Sequence, residues 1–155
     1  YQYKGENDNA IADFDAAVRL NPNSAEAFHN RGFAYEQKGD YGKAIADYDA
    51  AIRLKPDDAE AFNNRGIAYD NKGDYDKAIA DFDAVIRLKP DFAGAFHNRG
   101  SAYKNKGDYD KAIADFGKAV RLKPDCAEAV KKRGGADCRK GESDKAIADY
   151  TEAGR

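Results

Sequence analysis

The chain has 155 residues, of which 42% are hydrophobic and 35% are charged, and its formal net charge at pH 7 is −2. A pI near 5.7 argues against general nucleic-acid binding. No apolar run approaches the ~18 residues of a membrane span, so we expect neither a nucleic-acid nor a membrane partner.

Almost every feature of the sequence recurs at an interval of 34 residues. The prolines keep this interval throughout: Pro22, Pro56, Pro90 and Pro124. A fixed period of this length is typical of one supersecondary unit stacked on itself, which predicts a solenoid. We predict a single array over residues 1–155, made of a half repeat at 1–24, full repeats at 25–58, 59–92 and 93–126, and a truncated, degenerate repeat at 127–155.

The predicted elements begin with the half repeat, in which Tyr1–Lys4 form the end of an earlier first helix. Each full repeat then carries two helices, since its apolar residues recur at helical spacing. In residues 59–92, Gly73 suits a left-handed helix end and Asp74 suits the N-cap of the second helix. Pro90 closes that second helix.

The start of each first helix contains a predicted cap. An acceptor followed three residues later by a glutamate is typical of a capping box. The pairs are Asn23…Glu26, Asp57…Glu60 and Asp125…Glu128, whereas Asp91…Gly94 breaks the pattern.

Small residues recur at one place in each helix of the repeat. A glycine inside a helix costs ~1 kcal/mol relative to alanine, so its recurrence predicts a close helix crossing. The two columns are Gly32, Gly66, Gly100 and Gly134 in first helices, and Ala44, Ala78, Ala112 and Ala146 in second helices.

Six residues of the unit 59–92 have the spacing of the tetratricopeptide repeat (TPR): Phe62, Gly66, Tyr69, Ala78, Phe82 and Pro90. This resemblance recurs in every unit and covers essentially the whole chain. It implies an all-α fold, a right-handed superhelical solenoid of antiparallel helix pairs. The usual tryptophan is replaced by Phe28, Phe62, Phe96 and Val130, and the usual leucine before the glycine is arginine each time.

That arginine column has a matching aspartate column in the second helices. We predict that the two pair within or between units, because bidentate arginine–carboxylate contacts are geometrically specific and would set the stacking register. The alternative is an arginine row that binds phosphate or an acidic ligand. The columns are Arg31, Arg65, Arg99 and Arg133, and Asp13, Asp47, Asp81, Asp115 and Asp149.

An asparagine column comes directly before the arginines. The TPR resemblance implies that first helices line a concave groove and that these positions point into it. A primary amide both donates and accepts hydrogen bonds, so a row of amides suits the backbone of an extended peptide. The predicted peptide-binding residues are Asn30, Asn64 and Asn98, with His29, Asn63, His97 and Lys131 modulating specificity.

No catalytic motif is present in the sequence, and the glycines recur as helix ends and crossings rather than as a phosphate loop. His29 and His97 have no cysteine or histidine close in sequence, so we expect no metal, no cofactor and no enzyme activity. Cys126 and Cys138 would lie ~18 Å apart on a helix, too far to bridge. Free thiols favour a cytoplasmic location.

The predicted function is that of a protein–protein interaction scaffold that binds a peptide segment in a concave groove. The alternative is a structural array that self-associates head to tail through uncapped ends. Residues 1–92 carry 12 Lys and Arg against 18 Asp and Glu, whereas residues 93–155 carry 14 against 10, and such polarity suits head-to-tail contact. A consensus-like array without a natural ligand is a third possibility.

Overall fold

The computed structural model describes residues 2–123, with side chains placed from residue 7 onward. Within this range the chain forms helices and turns and has no strand. The predicted repeat 127–155, including Lys131 and Arg133, lies outside the described residues. The helices are α1 (Gln2–Leu20), α2 (Ala25–Gln37), α3 (Tyr41–Leu54), α4 (Ala59–Lys72), α5 (Tyr75–Leu88), α6 (Ala93–Lys106) and α7 (Tyr109–Leu122).

The chain divides into two compact units, Tyr1–Asp74 and Tyr75–Arg155. In the first unit α2 packs against both α1 and α3, α3 packs against α4, and the first helices α2 and α4 also touch each other. In the second unit α6 packs against both α5 and α7. The prediction of paired helices in a TPR-type repeat is confirmed, and the right-handed course of the whole array stays a prediction.

The turn between the two helices of a repeat confirms the predicted role of its glycine, whereas the N-cap role of Asp74 stays a prediction. Gly73 ends α4 with φ 88°, in the left-handed region where glycine has no Cβ penalty. The N–H of Asp74 donates to the carbonyl of Tyr69 at 2.9 Å, which closes the helix end. In the neighbouring turn, the side chain of Asp40 accepts a hydrogen bond from the N–H of Lys43 and so caps α3.

The predicted caps of the first helices are wrong by one residue. Ser24, not Asn23, caps α2 by accepting from the N–H of Ala27 at 3.2 Å. Asp58, not Asp57, caps α4 by accepting from the N–H groups of Glu60 and Ala61. In each case two consecutive residues can cap, and the residue that lies directly before the first helical residue does so.

Helix α6, the first helix of the repeat 93–126, has no side-chain cap. Phe92 occupies its N-cap position and makes no capping hydrogen bond. A Cβ on Gly94 would lie 2.8 Å from Cζ of Phe92. The ring therefore lies over the first turn of α6, in space that only a glycine leaves open. The predicted break at Asp91…Gly94 is confirmed.

The half repeat at the start also differs from its prediction. Tyr1–Lys4 were expected to end a first helix, but α1 continues from Gln2 through Gly5 to Leu20 without interruption. The sequence offers a reason, because Glu6 stands where Asp40 caps the next unit. Glutamate is not among the preferred N-cap residues, so nothing favours a helix start there.

Glycine allows the two helices of a repeat to cross closely, as predicted. A Cβ on Gly32 would lie 3.0 Å from Cε1 of the buried Tyr48 and 3.3 Å from the carbonyl oxygen of Ala44. A Cβ on Gly100 would lie 2.9 Å from Cε1 of Phe116. In these two repeats the aromatic ring of the second helix thus packs on the bare backbone of the first.

Candidate functional site

The arginine of the first helix is held between two second helices. In the first unit, Arg31 Nε and Nη2 donate to the two carboxylate oxygens of Asp47 at 2.8 and 2.7 Å. Its Nη1 donates to Asp15 at 2.7 Å. Asp47 is buried, and the hydrogen bonds that Arg31 donates to its carboxylate raise the pKa of Arg31. One guanidinium therefore joins α1, α2 and α3.

The same arrangement recurs in the second unit. Arg99 donates to both oxygens of Asp115 at 2.7 Å and to Asp83 at 2.5 Å. In the first unit Arg65 also donates to Asp49, at 2.6 Å. The predicted pairing is confirmed for Arg31 with Asp47 and for Arg99 with Asp115. All three guanidinium groups bind carboxylates rather than presenting a row for phosphate.

A second aspartate column was missed by the sequence interpretation. Its members are Asp15, Asp49 and Asp83, each two residues after the predicted partner, and Gly117 stands at the next place. The signal was visible as a 34-residue period. The role of these aspartates could not be predicted from that period. It requires a carboxylate from the preceding repeat to reach a guanidinium that already binds an aspartate of its own repeat.

The other side of the first helices carries the predicted binding residues. Residues three, four and seven apart lie on one side of a helix, and in α2 and α4 this side carries none of the buried residues. We call it the inner face of the first unit. Its members are Glu26, His29, Asn30, Phe33, Glu36 and Gln37 from α2, and Glu60, Asn63, Asn64, Ile67, Asp70 and Asn71 from α4.

Three of the predicted site residues meet on this inner face. Asn64 Nδ2 lies 3.3 Å from Nε2 of His29, across the contact between α4 and α2. Asn63 Nδ2 donates to Oδ1 of Asn64 at 3.3 Å. Glu60 Oε1 lies 3.8 Å from the same imidazole nitrogen. The amide of Asn64 thus already has two neighbours within the protein.

Asn30 does not join that cluster. Its side chain is half-buried, and within the described part of the chain its amide has no hydrogen-bonding partner. Of the asparagines predicted to form a row, Asn30 and Asn64 therefore differ in what they offer a ligand. Neither the row nor its contact with a peptide is tested by this geometry, and both stay predictions.

A tyrosine hydroxyl fixes one carboxylate of the inner face, which the sequence interpretation missed. Tyr48 Oη donates to Oε2 of Glu36 at 2.8 Å, and the imidazole of His29 lies edge-on to the same tyrosine ring with centroids 5.6 Å apart. Burial raises the pKa of Glu36, while the hydrogen bond from Tyr48 lowers it less. Phenylalanine stands at this place in the two following second helices. Of these three repeats, only the one at 25–58 therefore has the hydroxyl.

The remaining site residues within the described range, His97 and Asn98, lie on α6 in the second unit. The ring of His97 lies edge-on to Phe116 with centroids 5.7 Å apart, as His29 does to Tyr48. Ser101 Oγ donates to the carbonyl of His97 at 3.1 Å. Asn98 is half-buried beside it, and Lys104 stands where α2 has Glu36. The two inner faces thus share a histidine and differ in charge.

A surface pocket of about 540 Å³ also lies in the second unit. It is formed where α6 begins and α7 ends. Phe92, the N-cap residue of α6, is 43% exposed there. No group of three or more histidine, cysteine or acidic side chains in the described residues has the arrangement of a metal site. The pocket lining is Asp91, Phe92, Ala93, Gly94, His97, Leu122 and Lys123.

Family models match the sequence over successive stretches: a TPR repeat at residues 1–39, and a tetratricopeptide repeat at residues 30–92 and again at 93–126. The chain belongs to the tetratricopeptide repeat family. No curated protein sequence matches it. Among the helices of the described residues, none has both the length and the apolar character needed to cross a membrane.

Solved structures with this fold include several of MamA. One MamA structure is 28% identical, with a TM-score of 0.91 over 98% of this chain and 89% of the other. MamA 41-end from Desulfovibrio magneticus RS-1 is 26% identical, with a TM-score of 0.91 over 96% of this chain and 84% of the other. YrrB, described as a TPR protein with an unusual peptide-binding site, is 23% identical with a TM-score of 0.83 over 96% and 77%. The fold and its relatives support a protein-interaction scaffold in general, of a kind that is typically non-enzymatic.

Proposed function

We propose that this chain binds an extended peptide segment along the inner faces of its first helices. The observation that carries the proposal is Phe33, a large apolar side chain that is 49% exposed in the middle of a face whose other members, apart from the half-buried Ile67, are polar. Exposed apolar surface rimmed by polar groups is typical of an interaction site. The peptide-binding site named for YrrB belongs to a protein of the same fold and is consistent with this use.

The amides give such a groove its backbone contacts. Asn30 offers a donor and an acceptor to a peptide group, and Asn64 can exchange its hydrogen bond with His29 for one to the ligand. Asn98 takes the same place on α6. A net hydrogen bond is worth about 0.5–1.5 kcal/mol, so a short peptide should bind weakly and several amides should act together. His29, Asn63, His97 and Lys131 would modulate specificity.

The test is binding of immobilised 15-residue peptides to the full 155-residue chain, followed by calorimetric titration of those retained. The triple variant Asn30→Ala, Asn64→Ala and Asn98→Ala should lose most of the affinity. Asn9→Ala, on the exposed surface of α1, is the matched control and should bind like the parent chain. Unchanged binding by the triple variant would exclude the amide row, and failure to retain any peptide would contradict the proposed function.

Head-to-tail self-association remains the second candidate, and the uneven charge of the two halves of the sequence favours it. Attraction between an acidic and a basic half weakens as salt screens it. Light scattering at low and high ionic strength should therefore give a mass that rises with protein concentration only at low salt. A monomeric mass under all conditions would remove this candidate.

A further inference from the structure

The inner face of the first unit carries acidic side chains and no lysine or arginine. Its acidic members are Glu26, Glu36, Glu60 and Asp70. The arginines of the same helices, Arg31 and Arg65, are bound to aspartates of the second helices. They therefore do not neutralise this face.

Two of these carboxylates flank one histidine. Glu60 Oε1 lies 3.8 Å from Nε2 of His29, and its side chain is 75% exposed. Glu36 and His29 both contact Tyr48, the first through its hydroxyl and the second through its ring. Within the described residues neither glutamate is paired with a lysine or arginine. A cationic group would thus meet two carboxylates that no lysine or arginine already occupies.

Glu36 is held in place for such a contact. Tyr48 Oη binds one of its carboxylate oxygens, and Tyr48 is itself fully buried against Gly32. A carboxylate oriented by a buried partner loses less rotamer entropy when it binds a ligand. Burial raises the pKa of Glu36, and a bound cation would offset that cost of ionisation. The tyrosine therefore acts as a positioning residue for Glu36.

An apolar surface lies beside these charges. Phe33 comes one helical turn before Glu36 on α2, and Ile67 takes the same place on α4. Ile67 is half-buried, whereas Phe33 is 49% exposed. The chemistry that complements the face is a cation next to an aliphatic side chain. On α6 the matching residues are Ser101 and Lys104. They offer neither an apolar surface for the aliphatic side chain nor a carboxylate for the cation.

We propose that the inner face of the first unit selects peptide segments in which an arginine or lysine adjoins a leucine, isoleucine or valine. The cation binds Glu36 and Glu60, and the aliphatic side chain packs on Phe33 and Ile67. This inference rests on the proposed peptide-binding function and names the class of ligand for its first unit.

The experiment uses the full chain and three fluorescent peptides of one length, with a Gly-Ser background and two Arg-Leu pairs. In the second peptide citrulline replaces arginine, which removes the charge at nearly constant shape, and in the third glutamate replaces it. Fluorescence anisotropy should give a dissociation constant about tenfold lower for the arginine peptide than for the citrulline peptide, as expected for a charged hydrogen bond. Glu36→Gln and Glu60→Gln should each remove most of that preference.

Two variants separate positioning from charge alone. Tyr48→Phe introduces the residue that Phe116 provides in the second unit, and it should weaken the arginine peptide several-fold while leaving the citrulline peptide unchanged. Asp91→Asn removes one exposed negative charge from the second unit and should change neither. Circular dichroism of each variant checks that its helices are retained.

The possible failures are distinguishable. Equal binding of the arginine and citrulline peptides, or full preference in the Glu36→Gln and Glu60→Gln variants, overturns this inference and leaves the proposed function standing. If neither these peptides nor any member of the immobilised peptide set binds, both are contradicted.

Discussion

The hairpin α2–α3 and the hairpin α6–α7 have nearly the same interior and different surfaces. In both, an arginine is shared by two aspartates at 2.5–2.8 Å, and a glycine packs on an aromatic ring. The caps differ, because Ser24 begins α2 and Phe92 begins α6. The charge at one inner-face position is reversed, from Glu36 to Lys104. The interior is therefore kept between these two hairpins, whereas the inner face differs.

Removing the shared arginine should have the largest effect on stability. Arg99→Met leaves the buried carboxylate of Asp115 without its bidentate partner. Removing one member of such a pair costs about 3 kcal/mol in the free energy of unfolding. Urea denaturation measures the change. Arg121→Met, on the exposed side of α7, is the control, and equal losses in the two variants would mean that the shared arginine does not hold the hairpin.

Filling the helix crossing should have the next largest effect. Gly100→Leu places a side chain where even a Cβ would lie 2.9 Å from the ring of Phe116, and overpacking of this kind costs roughly 2 kcal/mol. Gly42→Leu is the matched control, since the nearest neighbour of a Cβ there is Asp40 Oδ1 at 3.8 Å. Its higher helix propensity should raise stability by about 0.5 kcal/mol. Thermal denaturation should shift in opposite directions for the two variants, and a shift of one sign for both would contradict the close crossing.

The cap of α4 should contribute a smaller amount that depends on pH. Asp58→Ala should cost about 1 kcal/mol, whereas Asp57→Ala, one residue earlier, should cost little. Burial alone would raise the pKa of Asp58, but the N–H groups of Ala61 and Glu60 and the charge of Lys55 outweigh it, so this pKa lies below its usual 3.8.

The sign of the pH dependence follows from that lowered pKa. The contribution of Asp58 is fully present above the pKa of the unfolded chain and is lost as pH falls through the lower pKa of the folded state. Denaturation midpoints of Asp58→Ala and the parent chain should thus differ at pH 7 and converge in acid. If Asp57→Ala lowered the free energy of unfolding more than Asp58→Ala, the cap would be Asp57, as predicted from the sequence.

The smallest effect is expected from a surface ion pair that only some repeats have. Lys106 Nζ donates to Asp76 at 2.5 Å, and Lys38 pairs with Asp8 in the same way. Lys72 is the matching lysine of the repeat between them, but the place of its aspartate is taken by Gly42. Asp76→Ala should cost at most about 0.5 kcal/mol, and the difference should vanish in 1 M NaCl because salt screens exposed charges. A loss that persists at high salt would point to packing instead.

The sequence was sufficient for features that follow from local backbone chemistry, and insufficient for those that depend on which partner a side chain reaches. The helix end at Gly73 follows from local backbone chemistry, and its prediction is confirmed. The cap at Asp58 was assigned to Asp57 because two adjacent acceptors look equivalent in a sequence.

The inner face shows the same limit. Its members were assigned from helical spacing, but the hydrogen bond from Tyr48 to Glu36 joins positions that are 12 residues apart. The period presents Tyr48 simply as one more aromatic residue of its column. Only the helix crossing brings its hydroxyl to that carboxylate. The contact between Asn64 and His29 likewise depends on how α2 and α4 lie side by side.

The shared arginine also sets where the chain can be divided. Because Arg31 takes one carboxylate from the helix before it and one from the helix after it, the group of elements that holds both of its partners is a second helix, a first helix and a second helix. A fragment cut at the proline period, such as 25–58, would leave Asp15 behind. The smallest autonomous fragment should therefore begin half a period earlier than the repeat written in the sequence.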